Sequence, residues 1–254
     1  MNCMLQGMII AFAMYSKIPM PRADWTKENM KYTMCYFPLI GVIIGFLQYG
    51  GFYLVQYLGF GELFQGVVLS LIPVFVTGGI HMDGFMDTMD ARSSWGDREK
   101  KLEILKDSHT GAFAILGCVV YMMITAAAWS EVQEAILLPV CFCFAVSRCL
   151  SGIGVASFQC AKNSGLLHTF SSALHKKTVR RVLIAELVLV CVLMLVLCPL
   201  YASAELIFAA AVFGYYRWFS YKDFGGITGD LAGYFLQICE AAMVLAAVLL
   251  YHIL

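Results

Sequence analysis

Long apolar runs alternate with short polar links along this chain, and within each run hydrophobic residues are nearly continuous. Runs approaching 20 residues predict membrane-crossing helices. Seven are drawn here, at 34–58, 64–80, 111–129, 135–150, 182–201, 205–221 and 231–254. An earlier stretch, Cys3 to Tyr15, is apolar but too short to span a bilayer. It predicts an interfacial or re-entrant helix that ends at Ile18-Pro19-Met20-Pro21. The expected fold is all-α: a polytopic membrane helical bundle of about seven transmembrane helices, one domain covering 1–254.

Composition agrees with that pattern. Apolar residues make up 61% of the chain and charged residues 13%, about half the share usual in soluble domains. The net charge is zero, which argues against a nucleic-acid partner. Most of the ten cysteines lie in or beside apolar spans, where a thiol behaves as a small hydrophobe. No C-x-x-C pair occurs, so a zinc site is not expected. No basic region precedes the first apolar stretch, so a cleavable signal peptide is not expected either.

The positive charges orient the bundle. Segments 17–33, 81–110 and 151–181 hold four, five and five Lys or Arg, and Arg217 with Lys222 opens the link before the last span. Arg148 completes the seventeen. The intervening links carry only acids: Glu62, Glu131 with Glu134, and Glu205. By the positive-inside rule the basic connections face the cytoplasm and the C-terminus faces out.

The chemistry is concentrated in Gly78-Gly79-Ile80-His81-Met82-Asp83-Gly84-Phe85-Met86-Asp87-Thr88-Met89-Asp90. Steps of four and three place Asp83, Asp87 and Asp90 on one helix face. Crowded carboxylates repel unless a cation or donors sit among them, and hard oxygen ligands suit Mg²⁺. The plain alternative is a solvated acidic face, but no lysine is interleaved and the run abuts a span. Further along, Asp97 to His109 reads as a short amphipathic helix. It is either an ordinary interfacial helix or a hairpin arm bringing Lys106, Asp107 and His109 to the aspartates. Gly225-Gly226-Ile227-Thr228-Gly229-Asp230 either cradles phosphate before the last span or is a plain turn with Asp230 as the N-cap. Arg148 either snorkels to the interface or clamps a phosphate. Glu240 lies roughly 15 Å into the last span at 1.5 Å per residue, where a carboxyl must be protonated, paired or functional.

Taken together these segments resemble the adenosylcobinamide-GDP ribazoletransferases, the membrane-bound cobalamin (5′-phosphate) synthases. The resemblance rests on Gly78 to Asp90, Pro19-Met20-Pro21, Phe37-Pro38-Leu39-Ile40-Gly41, Lys106-Asp107-Ser108, Ala145-Val146-Ser147-Arg148 and Gly225 to Asp230, and runs nearly full length in order. Position 109 is His where many members carry Arg, and Ala161 to Leu166 keeps a cation, Lys162, while losing an acid. The resemblance implies that α-ribazole or its 5′-phosphate is joined to adenosylcobinamide-GDP with release of GMP. Asp83, Asp87 and Asp90 would then hold Mg²⁺ against the diphosphate. A carboxylate or His81 would take the hydroxyl proton, and Lys106, Asp107, His109, Arg148, Thr228 and Asp230 would contact substrate. Rival readings are an intramembrane prenyl or CDP-alcohol transferase and a transporter. A homo-oligomer stays open.

Overall fold

The computed structural model describes residues 3–107, 109–162 and 165–254. Ser108, Asn163 and Ser164, which belong to the motifs above, lie outside the described residues. The described chain is helical, with one isolated parallel bridge between Cys160 and Ile227. In order the helices are α1 (Cys3–Tyr15), α2 (Lys27–Met30), α3 (Phe37–Tyr57), α4 (Glu62–Thr77), α5 (Ile80–Ser93), α6 (Arg98–Ile104) and α7 (Ala112–Ser130). They continue as α8 (Glu134–Ser157), α9 (Leu166–Ala173), α10 (Lys176–Leu197), α11 (Pro199–Phe219) and α12 (Gly229–Ile253).

Each of the seven predicted spans falls on a helix: α3, α4, α7, α8, α10, α11 and α12. Among the described residues four helices are long and apolar enough to cross a membrane by length and composition alone, five if α4 and α5 are counted as one bent span. In α10, Arg180, Arg181 and Glu186 dilute the apolar run. Residues 111–129 and 231–254 match α7 and α12 to within a residue or two, whereas 135–150 stops seven residues short of the end of α8. Gly152 and the small residues near it make the tail of α8 weakly hydrophobic, yet that tail is buried against α10.

Packing follows from where glycine lets backbones meet. A Cβ on Gly41 would run into the Phe144 carbonyl and one on Gly45 into the Cys141 carbonyl, so α3 and α8 touch along this small-x₃-small face. Gly66 lies equally close to the Ala126 carbonyl of α7. The helices α8 and α12 form the buried centre, and α7 turns most of its apolar surface outward.

The connections gather at two ends. At one, His252 near the end of α12 meets Glu131 at 3.1 Å, and Tyr53 donates to Glu134 at 2.8 Å. At the other lie the start of α12, α5, α6, Cys160, Lys162 and His168. The 25 residues of α12 separate the two ends by roughly 37 Å at 1.5 Å per residue. Glu131 and Glu134 thus lie at the end away from α5 and α6, whereas Glu205, expected in a link, is the seventh residue of α11 and is fully buried.

Candidate active site

The site begins with a turn. Gly78 (φ +64°) and Gly79 (φ +79°) both adopt the left-handed conformation that only glycine takes cheaply. They swing the chain through 98° from α4 into α5. The helix α5, with three aspartates and an arginine in 14 residues, therefore lies across the end of the bundle instead of continuing through it. It is seated on α12 by paired small residues. A Cβ on Gly84 would stand 2.8 Å from Asp230 Cα, and one on Gly233 would stand 2.9 Å from the His81 carbonyl. Arg92 completes the seat by donating to the Tyr234 hydroxyl at 2.9 Å.

This crossing brings carboxylates from two helices together. Asp83 is exposed, while Asp87 and Asp230 are half-buried. The Asp87 carboxyl is pushed up to about 6, first by burial and then by the negative charges of Asp83, Asp230 and Asp90. Facing them is a second crowd of like charge. Burial holds the Lys162 ammonium below its ordinary range, and Lys106 beside it lowers it further. Lys162 also donates to the Leu102 carbonyl at 2.7 Å, and Lys101 reaches Asp223 at 3.5 Å, so α6 is docked over the site.

Between these groups opens a cavity of about 400 Å³. Its mouth carries Asp83, Lys106, Lys162, His168, Thr228 and Asp230. Its floor is apolar and aromatic, and includes Met34, Phe37, Val155 and Phe170. His81 lies in the floor too, against the rings of Tyr15 (centroids 6.1 Å apart) and Phe37 (5.8 Å), and its Nε2 has no hydrogen-bond partner.

Of the residues expected at the site, His81, Asp83, Lys106, Thr228 and Asp230 line this one cavity. Asp87 sits one turn further along α5. Four expectations are corrected. Asp90 keeps its place on the aspartate face but its carboxylate is engaged elsewhere: it accepts backbone N–H groups from Gly111 at 2.6 Å and Ala114 at 2.8 Å, capping the start of α7. Arg148 neither snorkels nor reaches the cavity. It is 1% exposed and held by Glu240 at 2.6 Å, with further bonds to the Phe144 carbonyl and the Ser147 hydroxyl. Glu240, which also accepts from Ser147 at 2.8 Å, is therefore a paired carboxyl. Asp107 and His109 lie outside the cavity lining and pair with each other in solvent at 2.7 Å. The fourth correction concerns the glycine-rich link. Gly225 (φ +71°) closes a π turn under the Arg98 side chain, and Gly226 lies flush on the Gln159–Ala161 backbone. Neither is free to cradle phosphate. Thr228, not Asp230, caps α12, accepting from the Leu231 N–H at 3.2 Å.

Lys162, His168 and the aromatic floor were not singled out in advance. Lys162 had a signal, being the cation kept where the resembled segment loses its acid. Tyr15, Phe37 and Phe170 had none, since aromatic residues in apolar runs look alike until the helices are packed.

Among the described residues no group of three His, Cys, Asp or Glu side chains converges at metal-ligand spacing. Mg²⁺ does not require three. It is usually held by one or two carboxylates, with waters and substrate phosphates completing six positions. Asp83 and Asp87, on successive turns and short of compensating charge, fit that donor set.

A helical membrane bundle whose basic connections enclose an apolar cavity, with carboxylates and lysines at its mouth, is the class of protein defined here. The family model described as cobalamin-5-phosphate synthase matches residues 7–248, and the chain belongs to that family. It is 42% identical over 245 residues to the adenosylcobinamide-GDP ribazoletransferase of Lachnoclostridium phytofermentans, covering 96% of this chain and 94% of that one. It is 32% identical over 251 residues to the enzyme of the same name from Clostridium botulinum strain Alaska E43, covering 98% and 99%. Identity to the one from Geobacillus thermodenitrificans is 29% over 244 residues, 93% of each chain. No solved structure matches.

Proposed function

We propose that this chain joins adenosylcobinamide-GDP to α-ribazole or α-ribazole 5′-phosphate and releases GMP, at the cytoplasmic face of the cell membrane. The observation that carries this reading is the pairing of two charge crowds across one cavity mouth. Asp83, Asp90 and Asp230 crowd Asp87, Lys106 crowds Lys162, and the attraction between Lys162 and Asp230 is outweighed at both groups by burial. A diphosphate with its divalent cation satisfies both at once. Membership of the cobalamin-5-phosphate synthase family and the names of the relatives supply the identity of that diphosphate. The cytoplasmic assignment follows from the basic connections that surround the cavity.

In this reading the ribose 3′-hydroxyl attacks the phosphorus that carries the aminopropanol linker. A phosphorus–oxygen bond forms to the ribose, the diphosphate bridge breaks, and GMP departs with the bridging oxygen. Asp83 and Asp87 are the Mg²⁺ ligands; the ion, when bound, neutralises charge on the phosphoryl oxygens. Lys106 and Lys162 bind the departing phosphate. Asp230, at the mouth beside Asp83, orients the attacking hydroxyl and accepts its proton. Asp90, His109 and Arg148 take no direct part.

The test is a GMP-release assay on protein in detergent, with both substrates, with and without Mg²⁺. Wild type is expected to be Mg²⁺-dependent, and Asp83→Asn or Asp87→Asn to lose about 10²- to 10³-fold, as for removal of other transition-state charge stabilisers. Full activity in Asp87→Asn would refute the metal assignment. Turnover of a prenyl diphosphate or a CDP-alcohol instead of adenosylcobinamide-GDP would refute the substrate assignment.

A further inference from the structure

The cavity is two-sided, and that division carries information about its occupant. Exposure falls sharply from mouth to floor: Asp83 and Lys106 are exposed, whereas Phe37, Phe170 and Val155 are each 2% exposed or less. At about 400 Å³ it lies at the small end of the range for compact ligands. A corrin macrocycle with its side chains is several times the size of a nucleoside and is too wide for this floor. The floor is not purely apolar either. His81, 5% exposed, belongs to the lining, and its Nε2 is buried just behind that surface without a partner; an unsatisfied buried polar atom of this kind costs free energy unless a small turn of the ring lets a ligand supply the missing bond.

We infer that the floor is the recess for the heteroaromatic base of the nucleoside acceptor, with His81 Nε2 hydrogen-bonding a ring nitrogen or its bound water. This rests on the ribazole-transfer reading for the identity of the acceptor. The matching is chemical. A flat apolar ring suits walls of Tyr15, Phe37 and Phe170, a ring heteroatom suits the orphaned imidazole nitrogen, and a ribose phosphate suits the lysines and carboxylates at the mouth. With the base inserted first, the ribose hydroxyls lie at the mouth among Asp83 and Asp230, and the corrinoid diphosphate approaches from outside. An isoprenoid chain would satisfy the walls but would leave the imidazole nitrogen unpaired. His81 then acts on acceptor choice and not on the diphosphate.

The experiment is equilibrium binding of nucleosides to the full chain in nanodiscs, without corrinoid so that no turnover occurs. Three ligands are compared: α-ribazole, a phenyl riboside with no ring nitrogen, and a prenyl diphosphate. Wild type is expected to bind α-ribazole at least tenfold more tightly than the phenyl riboside. In His81→Ala that preference should shrink to about twofold. Val155→Phe, which narrows the floor, should weaken α-ribazole at least tenfold while the affinity for adenosylcobinamide-GDP, titrated separately without nucleoside, stays within about twofold of wild type. Equal binding of the two ribosides by wild type overturns the inference without requiring any variant to fold. A Val155→Phe effect on adenosylcobinamide-GDP alone, or tighter binding of the prenyl diphosphate than of either riboside, overturns it as well. The ribazole-transfer reading fails separately, through absence of GMP release from wild type. His81-dependent binding of α-ribazole would still uphold the recess in that case.

Discussion

Two carboxylate sites in this bundle are in opposite electrostatic states. Glu240 is in the middle of α12, buried and paired with one arginine and one hydroxyl, with the Arg148 guanidinium also over the faces of Phe37 and Phe144. Asp83, Asp87 and Asp230 lie at the end of the same helix and on the helix seated across it, and they are open. Carboxylate neighbours raise the charge cost of Asp87, and Lys162 with Thr228 relieves Asp230 only in part. The contrast teaches that burial and charge alone do not mark a functional acid. What distinguishes the open cluster is that its charges are fully balanced only when something binds.

The largest effect expected from this comparison is on the closed pair. Arg148→Ala or Glu240→Ala should destabilise the protein by about 3–5 kcal/mol, because each strands the other's buried charge. Combining Arg148→Met with Glu240→Leu should recover most of the loss. Thermal unfolding in detergent decides it; single variants with wild-type melting would mean that the pair is not a structural lock. Next in size is the cationic side of the open cluster. Lys162→Ala should raise the KM for the diphosphate substrate about 10- to 100-fold, the worth of a charge-assisted hydrogen bond at 1.5–3 kcal/mol. His109→Ala, in solvent with Asp107, should change it by less than about twofold. If the two variants behaved alike, the division between cavity and surface would be wrong. The smallest effect separates Asp90 from the rest of its motif. Asp90→Ala removes a helix cap and should cost about 0.5–2 kcal/mol of stability, while its activity per folded molecule stays far above that of Asp83→Asn. Equal loss in both would return Asp90 to the metal.

The bundle itself was legible because lipid removes choices. Backbone groups in a bilayer must pair internally, so long apolar runs can only be helices, and the seven runs fall on seven helices. The aspartate helix was legible for a similar reason, since a step of four and a step of three share a face only on a helix. What the spacing could not show was the rotation of that face. Asp90 shares the column, yet the start of α7 lies within its reach and claims it. Arg148 looked like a boundary residue because α8 was ended at residue 150, when helix continues to Ser157 and buries the arginine against α12. The glycines of 225–229 read as a phosphate loop, but two of the three meet the protein's own backbone and Arg98. Such contacts join residues from 21 to 127 positions apart, and no local pattern reports them.

Metal binding measured directly, with Mg²⁺ titrated into wild type, Asp87→Asn and Glu240→Gln and followed by calorimetry and by melting temperature, tests the open-and-closed distinction most sharply. With its pKa near 6, the Asp87 carboxyl keeps a proton that the unfolded chain would shed at lower pH. The metal-free protein therefore loses stability as pH rises through that window. Mg²⁺ should restore it, raising the melting temperature more at pH 7.5 than at pH 5. That pH-dependent binding should vanish in Asp87→Asn and persist in Glu240→Gln. Binding that survives in Asp87→Asn, or that disappears in a folded Glu240→Gln, would contradict the account.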